Sequence, residues 1–478
     1  MLLCSLLCPV SGGICAVGWL RMAVFMRFAS TITIKPAPSK SHLHASIPDS
    51  SFPKNFVVAG SHCGVKKNAG VNDLAVILST SSRPAAAAAC FTRNAFKAAP
   101  VLVSQEVLEK GAGRARALVV NSGCANAVTG KQGMEDAWAM VKATDALLEP
   151  SSPSSSGTHE TLVMSTGVIG QNLPISKIIA GIESKALTLD SNFSAWESAA
   201  KAFMTTDTFP KLRARTFTIN GQTFRMAGID KGAGMIHPDM GPPASAKQLH
   251  ATLLACILTD AAISPRSLQS ALTYAVDRSF NSISVDGEMS TNDTIIVLAN
   301  GAAADQSAKE IDEEHDRKAY ETFREELTSF ATDLAQLVVR DGEGATKFVT
   351  VNVQGASSFS DAHRVASKIS TSALVKTALY GEDANWGRVL AASGSVQLSI
   401  PLDPTRVSVT FVPADGSTPL PVLVEGEPEQ VDEVRAKEIL SEEDFEIKVE
   451  LGLGKESAKY WTCDFSYEYV SINGDYRS

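Results

Sequence analysis

Four short clusters of Thr, Gly and Lys are where this sequence could do chemistry: Ser165-Thr166-Gly167, Thr205-Thr206-Asp207-Thr208, Lys231-Gly232-Ala233-Gly234 and Ala251-Thr252. A Thr hydroxyl attacks an acyl carbon once a base takes its proton, a Lys ammonium holds a carboxylate, and Gly lets backbone approach an anion closely. Taken singly, each cluster reads more simply as a turn or a cap, since Ser, Thr, Asp and Gly favour both. Better-known catalytic strings do not occur: there is no GxSxG elbow, HExxH, Walker A loop or GxGxxG at a strand–helix turn. The eight His residues are scattered, and a lone His such as His237 or His250 is more often structural than catalytic.

The elements that must position these clusters follow from hydrophobic periodicity. LAVILST (74–80), ARALVVNSG, TLVMSTGVIG, TIIVLAN and TKFVTVNVQG predict strands, and ATLLACILTDAAI predicts a buried one. MEDAWAMVKATDALL, LPISKIIAGIESKAL and FSAWESAAKAFM carry apolar residues at three- and four-residue spacing and predict helices. Asn220-Gly221 between alternating runs predicts a hairpin with a type I′ turn over 216–229, and Ser264-Pro265 a helix start. One helix is expected over 308–340 and another over AHRVASKISTSALVKTAL. EIKVELGLG and YWTCDFSYEYVSIN read as an antiparallel pair, PSSPSSSGTHE (150–160) as a mobile loop, and folded sequence should begin near Phe52. The order of elements is mixed α and β, without a repeat.

The joint order of the clusters carries more than any one of them. KGAGMIHPDM followed by ATLLACILTDAAISP resembles the cleavage region of the ornithine acetyltransferase family. VNSGCANAVTG, STGVIG, MTTDTFPK, SVDGEMSTNDT, VRDGEGATK, LVKTALYGEDANWGR and YVSINGDYRS resemble further blocks of that family, in the family's order from about residue 52 to the end. The resemblance implies an α/β fold of layered sheets and helices, related to the self-processing N-terminal-nucleophile aminopeptidases. It implies a cut between Ala251 and Thr252, an α chain over 49–251, and a β chain over 252–478 that begins with the nucleophile. Cleavage would free the Thr252 α-amine, whose ordinary pKa is near 8, to take the proton of its own hydroxyl. By the same resemblance Thr166 and Gly167 form the oxyanion hole, and Thr205, Lys231, Thr252, Glu343, Asn473 and Ser478 bind substrate. The implied reaction moves acetyl from N2-acetyl-L-ornithine to L-glutamate by a ping-pong route within arginine biosynthesis. No cofactor is implied. Acetyl-CoA is a further acetyl donor in some relatives, and no phosphate-cradling loop in this sequence decides its use. The two chains should stay interlocked and pair as an (αβ)₂ heterotetramer. Two features depart from the family pattern: GPPASAKQLH stands between Met240 and Ala251, and Cys124 and Val128 replace the expected Asn and Cys. Cys124 reads as a buried apolar filler. The rival readings are a hydrolase with the same nucleophile and water as acceptor, and a non-catalytic relative, which would have lost Thr252 or the STG block.

Composition sets the outer bounds. The chain has 478 residues, 44% hydrophobic and 20% charged, which is an ordinary globular balance and too long for one small core. A net charge of −9 without a basic run argues against nucleic acid. Cysteines at 4, 8, 15, 63, 90, 124, 256 and 463 form no CxxC pairs beside His, so neither zinc nor a disulfide scaffold is expected. No acidic residue precedes Asp49, while Arg21, Arg27, Lys35 and Lys40 do, within Ser- and Ala-rich sequence. That composition predicts a mitochondrial transit peptide over 1–48 and a matrix location. The apolar first twenty residues also resemble a secretory signal or a weak membrane segment. No other stretch is long and apolar enough to cross a bilayer.

Overall fold

The structure is a computed structural model. It describes residues 36–148, 158–185, 188–243, 253–305 and 307–474, all within one compact unit, Pro36–Ser478. Ala251, Thr252, His250, Ser478, most of the expected transit peptide and most of the expected mobile loop lie outside the described residues.

Among the described residues three sheets build the fold. The first orders Phe56–Ser61, Leu74–Ser79, Ala117–Cys124 and Thr161–Val168, with the last pair parallel. The central sheet orders Lys211–Ile219, Gln222–Lys231, Leu254–Thr259, Thr294–Ala299, Ala86–Thr92 and Met240–Gly241. The third orders Ile283–Ser284, Glu456–Cys463, Phe348–Ala356, Asp444–Glu450, Ser408–Pro413, Leu420–Val424 and Glu427–Pro428.

The continuous apolar run at 254–259 is explained by burial on both faces. Leu254, Cys256 and Leu258 face a core shared with the first sheet and the helices Ala99–Lys110, Gly130–Asp145, Ile175–Lys185 and Phe193–Phe203. Ala255 and Ile257 face a second core with the helices Pro265–Arg278 and Arg317–Arg340. Period-two alternation along a strand produces this division. A third core joins the third sheet to the helices Phe359–Ser370, Ala373–Tyr380, Trp386–Gly394 and Glu433–Ser441.

Local signals behave as their chemistry requires. Asn220 (φ 50°) and Gly221 (φ 79°) both take the left-handed conformation that a type I′ turn needs, and Ser264 caps its helix by accepting from Ser267 N. Four expectations fail. The helix expected over 308–340 begins at Arg317, where Asp316 caps it through Ala319 N. The residues before it form a strap, with Ile311 bridged to Ile263 and Asp312 accepting from Ser264 Oγ. AHRVASKISTSALVKTAL is two helices, Phe359–Ser370 and Ala373–Tyr380, because Ser372 starts a new one by accepting from Val375 N. The final strands do not pair with each other. Phe348–Ala356 inserts between them, parallel to one and antiparallel to the other, and Tyr467–Gly474 is helical. Packed structure also begins before Phe52, since Lys40 pairs with Glu443 at 2.5 Å and Phe193 N donates to Asp49 at 2.7 Å.

Candidate active site

Six of the sequence-predicted residues converge on one cavity of about 220 Å³: Thr166, Gly167, Thr205, Lys231, Glu343 and Asn473. They arrive on five different segments. Thr166 and Gly167 end the strand Thr161–Val168. Gly167 has φ 126°, and a Cβ there would lie 2.3 Å from the Gly123 carbonyl carbon of the neighbouring strand, so no other residue fits. Thr205 follows the helix Phe193–Phe203, and its N–H donates to Asp207 at 2.8 Å. Lys231 ends the strand Gln222–Lys231. It is buried, and its Nζ donates to Thr166 Oγ1 at 3.3 Å. Glu343 lies just beyond the helix Arg317–Arg340, fixed by its own N–H to Ala233 O at 2.8 Å, and Asn473 Nδ2 donates to its carboxylate at 2.6 Å.

Ala251, Thr252 and Ser478 are outside the described residues, but the residue that follows Thr252 is well anchored. Leu253 N donates to the Asp293 carboxyl, and its carbonyl accepts from Thr294 N at 2.9 Å. The strand that continues from it pairs Leu254 with Lys231. Thr252 is therefore covalently joined to backbone lying beside the cavity lysine.

A buried charge network supports the site from below. Lys211, fully enclosed, bonds Asp207 at 2.6 Å and Asp341 at 2.5 Å. The other Asp207 contacts, from Thr205 N and Gly232 N, lead straight to two of the site clusters. Burial by itself would push the Asp207 carboxyl up, but Lys211, Lys231 and the N–H donors outweigh it and hold it well below its usual range. Burial lowers the Lys231 pKa, with Asp207 opposing the shift. Burial pushes both Asp230 and Asp293 far up, and no partner among the described residues reaches either Asp230 oxygen or Asp293 Oδ2. Lys66, pulled down to about 8 by burial, donates to Met204 O at 2.8 Å and so braces the turn that presents Thr205.

Several of these residues lay in sequence blocks whose individual roles were not legible. Asn292 lines the cavity and bonds Ala125 O and Ser165 O at 2.6 and 2.7 Å, tying the STNDT and STG segments together. Asp207 stands in one of the singled-out clusters, and Lys211 and Asp293 in quoted blocks, but their roles, like that of Lys66, rest on burial of charge, which appears only in three dimensions. Cys124 is buried, with its thiol pushed up by burial, as expected of a filler. A larger cavity near Arg114 and Arg116 has its guanidiniums already paired with Glu310 and Glu160. Among the described residues no His, Cys, Asp and Glu cluster could hold a metal ion, and no helix is long and apolar enough to cross a membrane.

The comparisons with known proteins agree with the sequence blocks. The ArgJ family model matches residues 57–478. The chain is similar to the arginine biosynthesis bifunctional protein ArgJ, mitochondrial, of Postia placenta, 73% identical over 461 residues that cover 95% of this chain and 99% of that one. It is 71% identical over 468 residues to the protein of the same name from Laccaria bicolor, again covering 95% and 99%. Among solved structures it is similar to an arginine biosynthesis bifunctional protein argJ from Bacillus halodurans, 38% identical, covering 45% of this chain and 95% of that one, with a TM-score of 0.41. A family match that spans every cavity-lining segment and reaches the last residue leaves one assignment: the chain belongs to the ArgJ family, the bifunctional ornithine acetyltransferases of arginine biosynthesis, as a mitochondrial member.

Proposed function

We propose that this chain cuts itself between Ala251 and Thr252 and then carries acetyl groups on Thr252. In the cut, Thr252 Oγ attacks the Ala251 carbonyl carbon, the peptide C–N bond breaks to leave an ester, and water hydrolyses that ester. The products are an α chain ending at Ala251 and a β chain beginning with a free threonine amine. That amine then takes the Thr252 hydroxyl proton as Oγ attacks the acetyl carbon of N2-acetyl-L-ornithine. Thr166 and Gly167 stabilise the oxyanion by donating hydrogen bonds to it. The acetyl C–N bond breaks, the amine returns its proton to the leaving ornithine nitrogen, and acetyl-threonine remains. The amine of L-glutamate attacks this ester and leaves as N-acetylglutamate, restoring Thr252.

The remaining site residues bind the amino-acid portion. Lys231 supplies positive charge for a carboxylate, Glu343 accepts the side-chain ammonium of ornithine, and Thr205, Asn473 and Ser478 hydrogen-bond the substrate. Acetyl-CoA charges the same threonine in the second activity that the relatives' bifunctional name supports. No step uses a cofactor. The two chains remain associated and pair as an (αβ)₂ heterotetramer.

The observation that carries this reading is the convergence of Thr166, Gly167, Thr205, Lys231, Glu343 and Asn473 on one cavity beside the strand that follows Thr252. The test is the intact mass and N-terminal sequence of purified protein beside Thr252→Ala, followed by an acetyl-transfer assay with and without glutamate. Two chains in the wild type, one in the variant, and glutamate-dependent release of ornithine are expected. An uncut wild-type chain would remove the nucleophile assignment, and ornithine release independent of glutamate would make the protein a hydrolase.

A further inference from the structure

The helix Tyr467–Gly474 brings Asn473 to the cavity, yet it has no buried side chain. Val470 is 68% exposed and Tyr467 46%. Hydrophobic burial therefore does not seat this helix, and its attachments are mainly ring contacts and polar bonds. Phe465 and Tyr469 stack at 5.2 Å, and Tyr380 meets Tyr467 edge-on at 5.7 Å. Among the described residues two polar bonds reach from the helix toward the site. Asn473 Nδ2 donates to Glu343 at 2.6 Å, and the Tyr469 hydroxyl donates to Asp286 Oδ2 at 3.2 Å.

Asp286 joins this helix to the loop after Lys231. The same carboxylate accepts Met235 N at 2.6 Å, Ile236 N at 2.9 Å and Glu288 N at 3.1 Å. Met235 is a non-glycine residue at φ 55°, and the paired N–H bonds to Asp286 hold the turn that sets Gly234 against the Glu343 carboxylate. One carboxylate thus fixes both surfaces between which Glu343 lies: the Gly234–Met235 turn on one side and, through Tyr469 and its helix, Asn473 on the other.

We infer that Tyr469 is a positioning residue for side-chain ammonium recognition: its bond to Asp286 seats the C-terminal helix so that Asn473 orients the Glu343 carboxylate. This rests on the reading of Glu343 as the ammonium partner. The phenol keeps its proton for the role, since burial, and then Asp286, push its pKa up.

The test compares wild type, Tyr469→Phe and Glu343→Gln with two donors, N2-acetyl-L-ornithine and N2-acetyl-L-norvaline, which lacks only the ammonium nitrogen. Chain cutting and thermal melting are measured alongside to show that each variant folds. In Tyr469→Phe the KM for acetylornithine should rise about fivefold, the effect of one net hydrogen bond, with kcat within about twofold. The KM for acetylnorvaline should stay within about twofold, so the variant moves toward the donor preference of Glu343→Gln. Equal shifts for both donors would reduce Tyr469 to general support, and no shift would also overturn the inference. A wild type that uses both donors equally would remove Glu343 as ammonium partner and the inference with it. A wild type that transfers from neither would instead count against the proposed acetyl transfer itself.

Discussion

Gly234 touches Glu343 so closely that a Cβ would lie 2.3 Å from Oε2. Gly234→Ala must therefore displace the carboxylate, while the strands on either side keep their packing. We expect the KM for acetylornithine to rise about tenfold or more, as for a misplaced binding group, with little change in melting temperature; an unchanged KM would mean that Glu343 does not meet the donor. Thr166→Val tests the oxyanion role at nearly constant volume. It should lower kcat by about 10²-fold or more, and a full-rate variant would place the oxyanion donors elsewhere. The Asp207–Lys211 pair gives a pH signature with a definite sign. Asp207 has a folded pKa below its unfolded value, so its stabilisation is complete above the unfolded pKa of about 4 and is lost as pH falls toward the folded one. Urea denaturation of Asp207→Asn should show a deficit of about 3–5 kcal/mol at neutral pH that shrinks below about pH 4. A deficit independent of pH would show that the carboxylate charge contributes nothing.

At the scale of elements, the strap before the helix Arg317–Arg340 and the start of the helix Pro265–Arg278 meet at one hydroxyl. Ser264 Oγ caps its own helix and also bonds Asp312 at 2.8 Å. Ser264→Ala should therefore cost about 1–2 kcal/mol, at the upper end of the range for a lost cap, measured by denaturant unfolding, with acetyl transfer unaffected because this end of the helix lies away from the cavity. A cost near zero would show that water replaces both bonds. The elements that periodicity predicted well are those with a strong local cause: the Asn220-Gly221 hairpin, the Ser264-Pro265 start and the apolar strand at 254–259. Those it mistook lacked one. Ser372 divides what reads as a single amphipathic helix, and nothing local in EIKVELGLG or YWTCDFSYEYVSIN reveals that Phe348–Ala356 lies between them.

For the whole molecule, the consequence of a cut before Thr252 is set by the central sheet. Reading across it, two strands precede the cut, two follow it, and two more precede it again. Each half alone would expose the buried strands Leu254–Thr259 and Thr294–Ala299, or their partners on either side, as unpaired apolar edges. The cut chains should accordingly co-elute on size exclusion in native buffer and separate only in denaturant. Recovery of a free, soluble β chain without denaturant would show that the interleaved sheet is not what joins them.

The order of blocks from VNSGCANAVTG to YVSINGDYRS was enough to identify the family, and with it the candidate residues, because reactive and binding side chains must keep their types and their loops. The hairpin and the caps were also legible, because turn and cap chemistry acts over a few neighbouring residues. What the linear chain could not contain was the charge network of Lys211, Asp207 and Asp341, the anchoring of Leu253 by Asp293, or the use of Asp286 by both a loop and the C-terminal helix. Except for Asp207 and Lys211, four positions apart, the partners lie far apart in sequence, and an Asp or Lys read from a string is by default a solvated surface charge. Only packing removes the water around such groups, and the partners that replace it here come from across the fold.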